Sequence, residues 1–288
     1  MSWTHDRIPD QTGRTAVVTG GGSGLGLVVA TELARRGARV IIAVRDTVKA
    51  ERAGLDAEVR RLDLMDLDSV RAFAAGIDEV DLLVNNAGVA GQPFRLSPQG
   101  HESHFATNHL GHFVLTGLLL PLLAKGDEPR VVTVSSYMYR YGKFGDRSKR
   151  YSHTRAYADS KLANVLFGLE LQRRLGAEGS PVRSFLAHPG MARTPMQGKN
   201  SSRLQAVLGT AVTRIAGRSA EEGALPLLYA ATGEDAPPAT MIGPGRRGAP
   251  TAEKLRPVAT DAHALELWEL SERFAERGSR PEPRSAND

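Results

Sequence analysis

The sequence predicts an α/β domain: one parallel sheet wound on both faces by helices. Short apolar runs rich in β-branched residues recur at 14–19, 40–44 and 130–134, and segments of helical period separate them. A run that is apolar at every position suits a parallel strand covered on both sides. Each parallel strand must also be reached by a crossover that returns over the sheet. The third observation is a glycine cluster, Gly20 to Gly26, placed directly between the first run and the first helix.

The elements follow in order. After the strand at 14–19, Leu27, Ala30, Thr31, Ala34 and Arg35 keep helical spacing, and Gly37 suits the C-terminal end of that helix. The strand at 40–44 completes a βαβ unit. A third strand is expected at 59–62, a helix at 68–75 and a strand at 80–84. A long helix at 101–125 leads to the strand at 130–134. The helix at 157–175 presents Leu162, Val165, Leu166, Leu169 and Leu175, and a strand at 182–187 ends before His188-Pro189-Gly190. From 191 to 218 the pattern weakens at Gly198-Lys199-Asn200-Ser201-Ser202. That segment is read as a substrate-lid insertion with a short helix at 204–215. A helix at 220–232, an edge strand at 240–243 and a final helix at 262–275 complete a single domain over 13–276. Residues 1–12 read as a flexible N-terminus and 277–288 as a disordered tail.

The 288 residues, 41% hydrophobic, are enough for one substantial core. With no cysteine, disulfides, thiolate metal sites and a thiol nucleophile are excluded. His101, His104, His109 and His112 lie at helical intervals, but no carboxylate cluster accompanies them, so no metal is expected. His188 reads as a loop-packing residue. The opening MSWTHDRIPD has no basic segment followed by an apolar stretch, so the expected location is cytoplasmic. The apolar stretch at 113–124, interrupted by Thr116, Gly117 and Pro121, is shorter than the ~20 residues that span a bilayer, and no membrane span is expected. The net charge of +5 is scattered, apart from residues 140–155, where Arg140, Lys143, Arg147, Lys149, Arg150 and Arg155 interleave with Tyr141 and Tyr151. A solvated loop beside an active site accounts for this as well as a nucleic-acid surface does, and no nucleic-acid partner is expected.

Chemistry enters at the glycine cluster. Between a strand and a helix, Gly20 permits a tight turn, Gly24 lets phosphates approach the backbone, and Gly26 allows close helix–strand packing, the Rossmann arrangement for a dinucleotide pyrophosphate. An acid at the end of the second strand would accept the ribose 2′-OH, whereas a cation accommodates a 2′-phosphate. Here Val44 is followed by Arg45, so NADP is expected, with NADPH preferred over NADH. Asp46 tempers this, since it could pair with Arg45 or reach the ribose.

Seven motifs in order, Thr19-Gly20-x-x-x-Gly24-x-Gly26, Asp63-Leu64, Asn85-Asn86-Ala87-Gly88, Asn108, Val134-Ser135-Ser136, Tyr157-x-x-x-Lys161 and His188-Pro189-Gly190, resemble the classical short-chain dehydrogenase/reductase family over roughly residues 15–194. The segment Tyr157-Ala-Asp-Ser-Lys161-Leu-Ala-Asn164-Val-Leu-Phe167 resembles its branch of retinol dehydrogenases and their bacterial relatives. Carbonyl reduction needs a proton donor, and a phenol with an ammonium one helical turn away on the same face can be drawn toward working pH, which points to Tyr157 and Lys161. The resemblance further implies that Lys161 holds the nicotinamide ribose, Ser136 bonds the substrate oxygen and Asn108 supports a proton-relay water. It also implies cofactor contacts at Gly20, Ser23, Gly24, Leu25, Gly26, Asp63, Leu64, Asn86, Ala87, Gly88, Pro189, Gly190 and Thr194. Tyr139 and Lys143 share the Tyr157–Lys161 spacing, but Gly142 and Gly145 argue against a helix there. Ser135 reads as structural.

The expected activity is hydride transfer between nicotinamide and a ketone, aldehyde or alcohol. The interval from Ser136 to Tyr157 is longer and more basic than in compact members, and Tyr137, Tyr139, Tyr141, Phe144 and Tyr151 there either line a cleft for a bulky apolar or aromatic substrate or pack the loop. The family often forms dimers or tetramers through its two long helices. A light-dependent ring reductase is disfavoured by the missing cysteine, and an NADP-sensing regulator by the intact Ser136, Tyr157 and Lys161.

Overall fold

The computed structural model describes residues 3–145, 151–190, 219–245 and 248–277. The lid read at 191–218, Thr194 within it, and the tail beyond 277 lie outside the described residues, as do Arg147, Lys149 and Arg150.

Eight strands form one sheet: β1 (Thr15–Thr19), β2 (Arg39–Val44), β3 (Glu58–Arg61), β4 (Leu82–Asn85), β5 (Arg130–Val134), β6 (Arg183–Ala187), β7 (Met241–Pro244) and β8 (Pro250–Glu253). The helices are α1 (Gly24–Arg35), α2 (Thr47–Glu51), α3 (Leu67–Ala75), α4 (Ser103–Leu123), α5 (His153–Ala177), α6 (Ala220–Thr232) and α7 (Asp261–Arg277). The strand order is β3-β2-β1-β4-β5-β6-β7-β8, parallel except for β8. β1 pairs with β2 on one side and β4 on the other, so the winding reverses at its C-terminal end, the position where such sheets open a crevice for ligands.

The all-apolar strands are explained by their alternation. Ala16, Val18, Leu82, Val84, Val132 and Val134 pack with Val29 and Leu33 of α1 and Leu227 of α6. Val17, Leu83 and Val131 face the opposite layer, against Val70 of α3, Leu115 of α4 and Phe167 and Leu171 of α5. At about 25 cal/mol per Å² of apolar surface buried, both layers stabilise the sheet, which is why the central strands are apolar at both parities over most of their length.

Two expectations are corrected, and two elements are added. Residues 3–12 are packed rather than loose: Ile8 is buried, and the Trp3 and Tyr229 rings meet edge-on with centroids 5.4 Å apart. β7 is not an edge strand, because β8 pairs antiparallel outside it. The sequence of β8, Pro-Thr-Ala-Glu, carries no apolar alternation that would have announced a strand. α2 is also additional, and its N-cap is Asp46, whose carboxylate accepts from Lys49 N at 3.0 Å. Finally, α4 reaches the length and apolarity that could cross a bilayer by composition alone, but it is mostly buried inside the fold as a core helix.

α7 lies along α4 and α5. Its Trp268 stacks on Phe167 at 6.0 Å and meets Phe113 edge-on at 5.0 Å, while Ser271 Oγ hydrogen-bonds His109 at 2.9 Å.

Candidate active site

At the end of β1 the chain turns through Gly20, at φ +68°, and enters α1 at Gly24, at φ +56°. Both angles lie in the left-handed region that glycine alone adopts without strain. Gly26 is required for space as well: a Cβ there would lie 2.5 Å from both Asn86 Nδ2 and Gly20 O. Asn86 fastens the turn, donating from Nδ2 to Thr19 O at 2.8 Å, while Asn86 N and Ala87 N both donate to Thr19 Oγ1. Ser23, the N-cap of α1, makes no side-chain capping bond, so the first N–H groups of the helix, beside Leu25 and Gly26, stay available to an anion.

A cavity of about 270 Å³ continues from this turn. It brings together Gly20, Arg45, Asp63, Leu64, Ala87 and Gly88, and adds Arg95, which sequence reading missed. Asp63 is tied to its own loop, accepting from Met65 N at 3.1 Å. Asp46 neither pairs with Arg45 nor turns to the cavity, because it caps α2. A helix start without a side-chain cap and a turn built mostly of glycine fit the pyrophosphate of a nicotinamide dinucleotide, and the exposed Arg45 guanidinium stands at the end of β2.

The candidate catalytic groups begin beyond Gly88, at which a Cβ would lie 3.3 Å from both Asn108 Oδ1 and Lys161 Nζ. Lys161 is buried on α5, and one of its N–H groups donates to Val134 O at 3.1 Å, a carbonyl shared with Asn164 Nδ2 at 3.0 Å. The Tyr157 ring, one turn earlier, is centred 5.9 Å from Lys161 Nζ. Burial pushes the phenol up, and a hydrogen bond with Ser136 opposes that rise. Burial lowers the Lys161 ammonium to about 8. The expected pull of Lys161 on the phenol is therefore not the governing influence here. Ser136 also accepts from Met138 N at 3.3 Å, and Ser135 Oγ donates to Lys161 O at 2.8 Å, the structural role read for it.

Asn108 sits in a π-helical turn, Ala106–Leu110, inside α4. Such turns leave the regular hydrogen-bond ladder and recur at functional sites. Its side chain accepts from Val89 N at 2.7 Å and donates to Val89 O at 3.0 Å and Ser160 Oγ at 2.9 Å. Its carbonyl accepts from His112 Nδ1 at 3.0 Å, and His112 Nε2 meets Thr19 Oγ1 at 2.9 Å. Burial holds His112 down at about 4, a neutral ring between the glycine turn and the π turn.

Residues 14–205 match the model of the short chain dehydrogenase family. The chain belongs to that family. This short-chain dehydrogenase is an oxidoreductase acting on CH–OH groups. It is 39% identical to retinol dehydrogenase 12 of Homo sapiens, over 92% of this chain and 90% of that protein. It is likewise 39% identical to retinol dehydrogenase 14 of Mus musculus, over 90% and 85%. A crystal structure of an uncharacterised protein from Mycobacterium paratuberculosis superposes with a TM-score of 0.81 at 44% identity, covering 96% of this chain and 98% of that one.

The aromatic residues between Ser136 and Tyr157 do not form one wall in this short-chain dehydrogenase. Tyr139 is fully buried, Tyr141 is exposed, and Phe144 and Tyr151 line a cavity of about 1010 Å³ between α5 and α7. That larger cavity is bordered by Ala156, Asp159 and Ala163, on the face of α5 turned away from Tyr157. Tyr137 follows Ser136 in the chain, and its ring centre lies 6.5 Å from that of His188. His112 and Ser160 were the other residues missed. The i, i+4 spacing of Asn108 and His112 was the one local signal for either, since Thr19 is far away in sequence.

Proposed function

We propose that this short-chain dehydrogenase transfers a hydride between NADPH and a ketone, aldehyde or alcohol, with Tyr157 as proton donor, Ser136 and Lys161 as its partners and Asn108 as their support. The observation that carries this reading is that Asn108 and Lys161 meet at Gly88, with the Tyr157 ring beside Lys161 and hydrogen-bonded to Ser136, beyond a glycine-rich turn. Bound NADPH supplies the hydride. Ser136 and the phenol hydrogen-bond the substrate oxygen, and Tyr157, protonated at neutral pH because burial raises it, gives that oxygen its proton. Lys161 Nζ, close to Gly88, offers its remaining N–H groups to a ribose hydroxyl. Pro189 and Gly190, after the end of β6, would bound the nicotinamide side of a held cofactor. The names of the retinol dehydrogenase relatives support a bulky apolar aldehyde or alcohol as substrate.

NADPH consumption, followed by absorbance over a panel of carbonyl compounds, tests the activity. Tyr157→Phe is expected to lower kcat by about 10² to 10⁴ while leaving NADPH affinity close to native. Native turnover in that variant would remove Tyr157 from the chemistry. Arg45→Ala is expected to weaken NADPH by about tenfold or more, with NADH nearly unaffected, as read by calorimetry. Equal losses would take away the basis for preferring NADPH.

A further inference from the structure

Glu253 stands on β8, outside every motif of the family, yet its carboxylate reaches the loops that leave β5 and β6. Its Oε2 accepts from Arg140 Nη2 at 2.9 Å and lies 3.3 Å from His188 Nε2. His188 Nδ1 accepts from Gly190 N at 3.1 Å, so the ring proton sits on Nε2 and faces the carboxylate. Arg140 in turn lays its guanidinium 4.1 Å from the centre of the Tyr137 ring, the residue after Ser136. The His188 side chain is 2% exposed and those of Arg140 and Glu253 16% and 26%, so these pairs are screened less than open surface pairs. The backbone is shaped around the contact, because a Cβ at Gly243 of β7 would collide with both the Glu253 carboxylate and the His188 ring. Tyr137 itself is 42% exposed, which leaves ring surface open beside Ser136.

We propose that Glu253 is a positioning residue that, through Arg140 and His188, fixes Tyr137 and the Pro189-Gly190 turn on two sides of the reaction site, making Tyr137 an aromatic wall for bulky, flat carbonyl substrates. The substrate half of this proposal rests on the oxidoreductase reading above. The clamp half rests on the contacts alone. Without the carboxylate, Arg140 loses the anion that holds it over Tyr137, and His188 loses the negative charge beside Nε2 that favours the ring orientation keeping its other nitrogen on Gly190 N.

Peptide-resolved hydrogen–deuterium exchange of the full chain reads the clamp without turnover. In Glu253→Gln, the amides of 138–142, which bond to Ser136 and Tyr139, and the amide of Gly190 should all exchange faster by roughly tenfold. In Arg140→Ala, only the 138–142 stretch should loosen. Unchanged exchange in both stretches, or loosening confined to 250–253, overturns the clamp. With an aromatic aldehyde such as naphthaldehyde, both variants should raise KM about tenfold while the KM for propanal stays little affected, and Arg140→Ala, which leaves the Gly190 turn in place, should keep kcat within about twofold. The double variant should add little to either single one, because both act through one link. Equal losses on the two aldehydes, or additive effects, overturn the Tyr137 wall. A native protein inactive on every carbonyl would count against the proposed activity and against that wall, whereas the exchange result decides the clamp by itself.

Discussion

At Tyr157 burial raises the phenol and Ser136 holds it down, while at Lys161 burial acts alone and lowers the ammonium to about 8 from a usual 10.5. Between those two pH values the unfolded chain holds a proton that the folded chain has released, so folding stability should rise with pH across that interval. Urea midpoints of the native protein and Lys161→Met, compared from pH 7 to 10, are expected to show the native protein gaining on the variant above pH 8. A constant difference would mean that Lys161 is not desolvated. The pair itself was legible from sequence, since four residues on one helix make neighbours whatever the rest of the chain does. Glu253 was not legible, because its partners Arg140 and His188 come near it only when β8 folds beside β7.

At the level of elements, the turn into α1 is the part most exposed to a single methyl group. Gly26→Ala places a Cβ 2.5 Å from Asn86 Nδ2 and from Gly20 O. It is expected to cost about 1–3 kcal/mol in urea denaturation and to weaken NADPH binding in a titration. A variant with native stability and affinity would show that the close approach is not needed. α7 presents the opposite case, an element held by side chains from two others. Trp268 packs on Phe113 and Phe167, and the Arg174 guanidinium lies 4.4 Å from the centre of its ring. Trp268→Ala should lower stability by about 2–4 kcal/mol, and a loss below about 1 kcal/mol would show that the ring is not an anchor. The sequence pattern located α7 within two residues at each end, because its apolar stripe keeps helical period. It missed β8 and α2, where four or five residues carry too little pattern for the period to register.

Across the whole molecule, α7 covers a face of α4 and α5, the two long helices through which the family resemblance implied dimers or tetramers. Replacing Leu267 and Trp268 together with Asp is expected to unseat α7 and leave Phe113 and Phe167 uncovered, giving a sedimentation coefficient that rises with concentration. A double variant that keeps its size and its thermal midpoint would show that no adhesive face lies beneath the helix. By itself the sequence determined the order of the longer strands and helices, the parallel sheet, the glycine turn and the helical pairing of Tyr157 with Lys161. All of these are written in local spacing and in the apolarity that burial on both sides demands. Only the tertiary structure decided that Tyr139 belongs to the core while Tyr137 stays partly exposed, that Asp46 caps a helix, and that the Glu253 carboxylate meets Arg140 and His188 from two different loops. A side chain's surroundings depend on which distant strands and helices the packing brings beside it, and no local period carries that information.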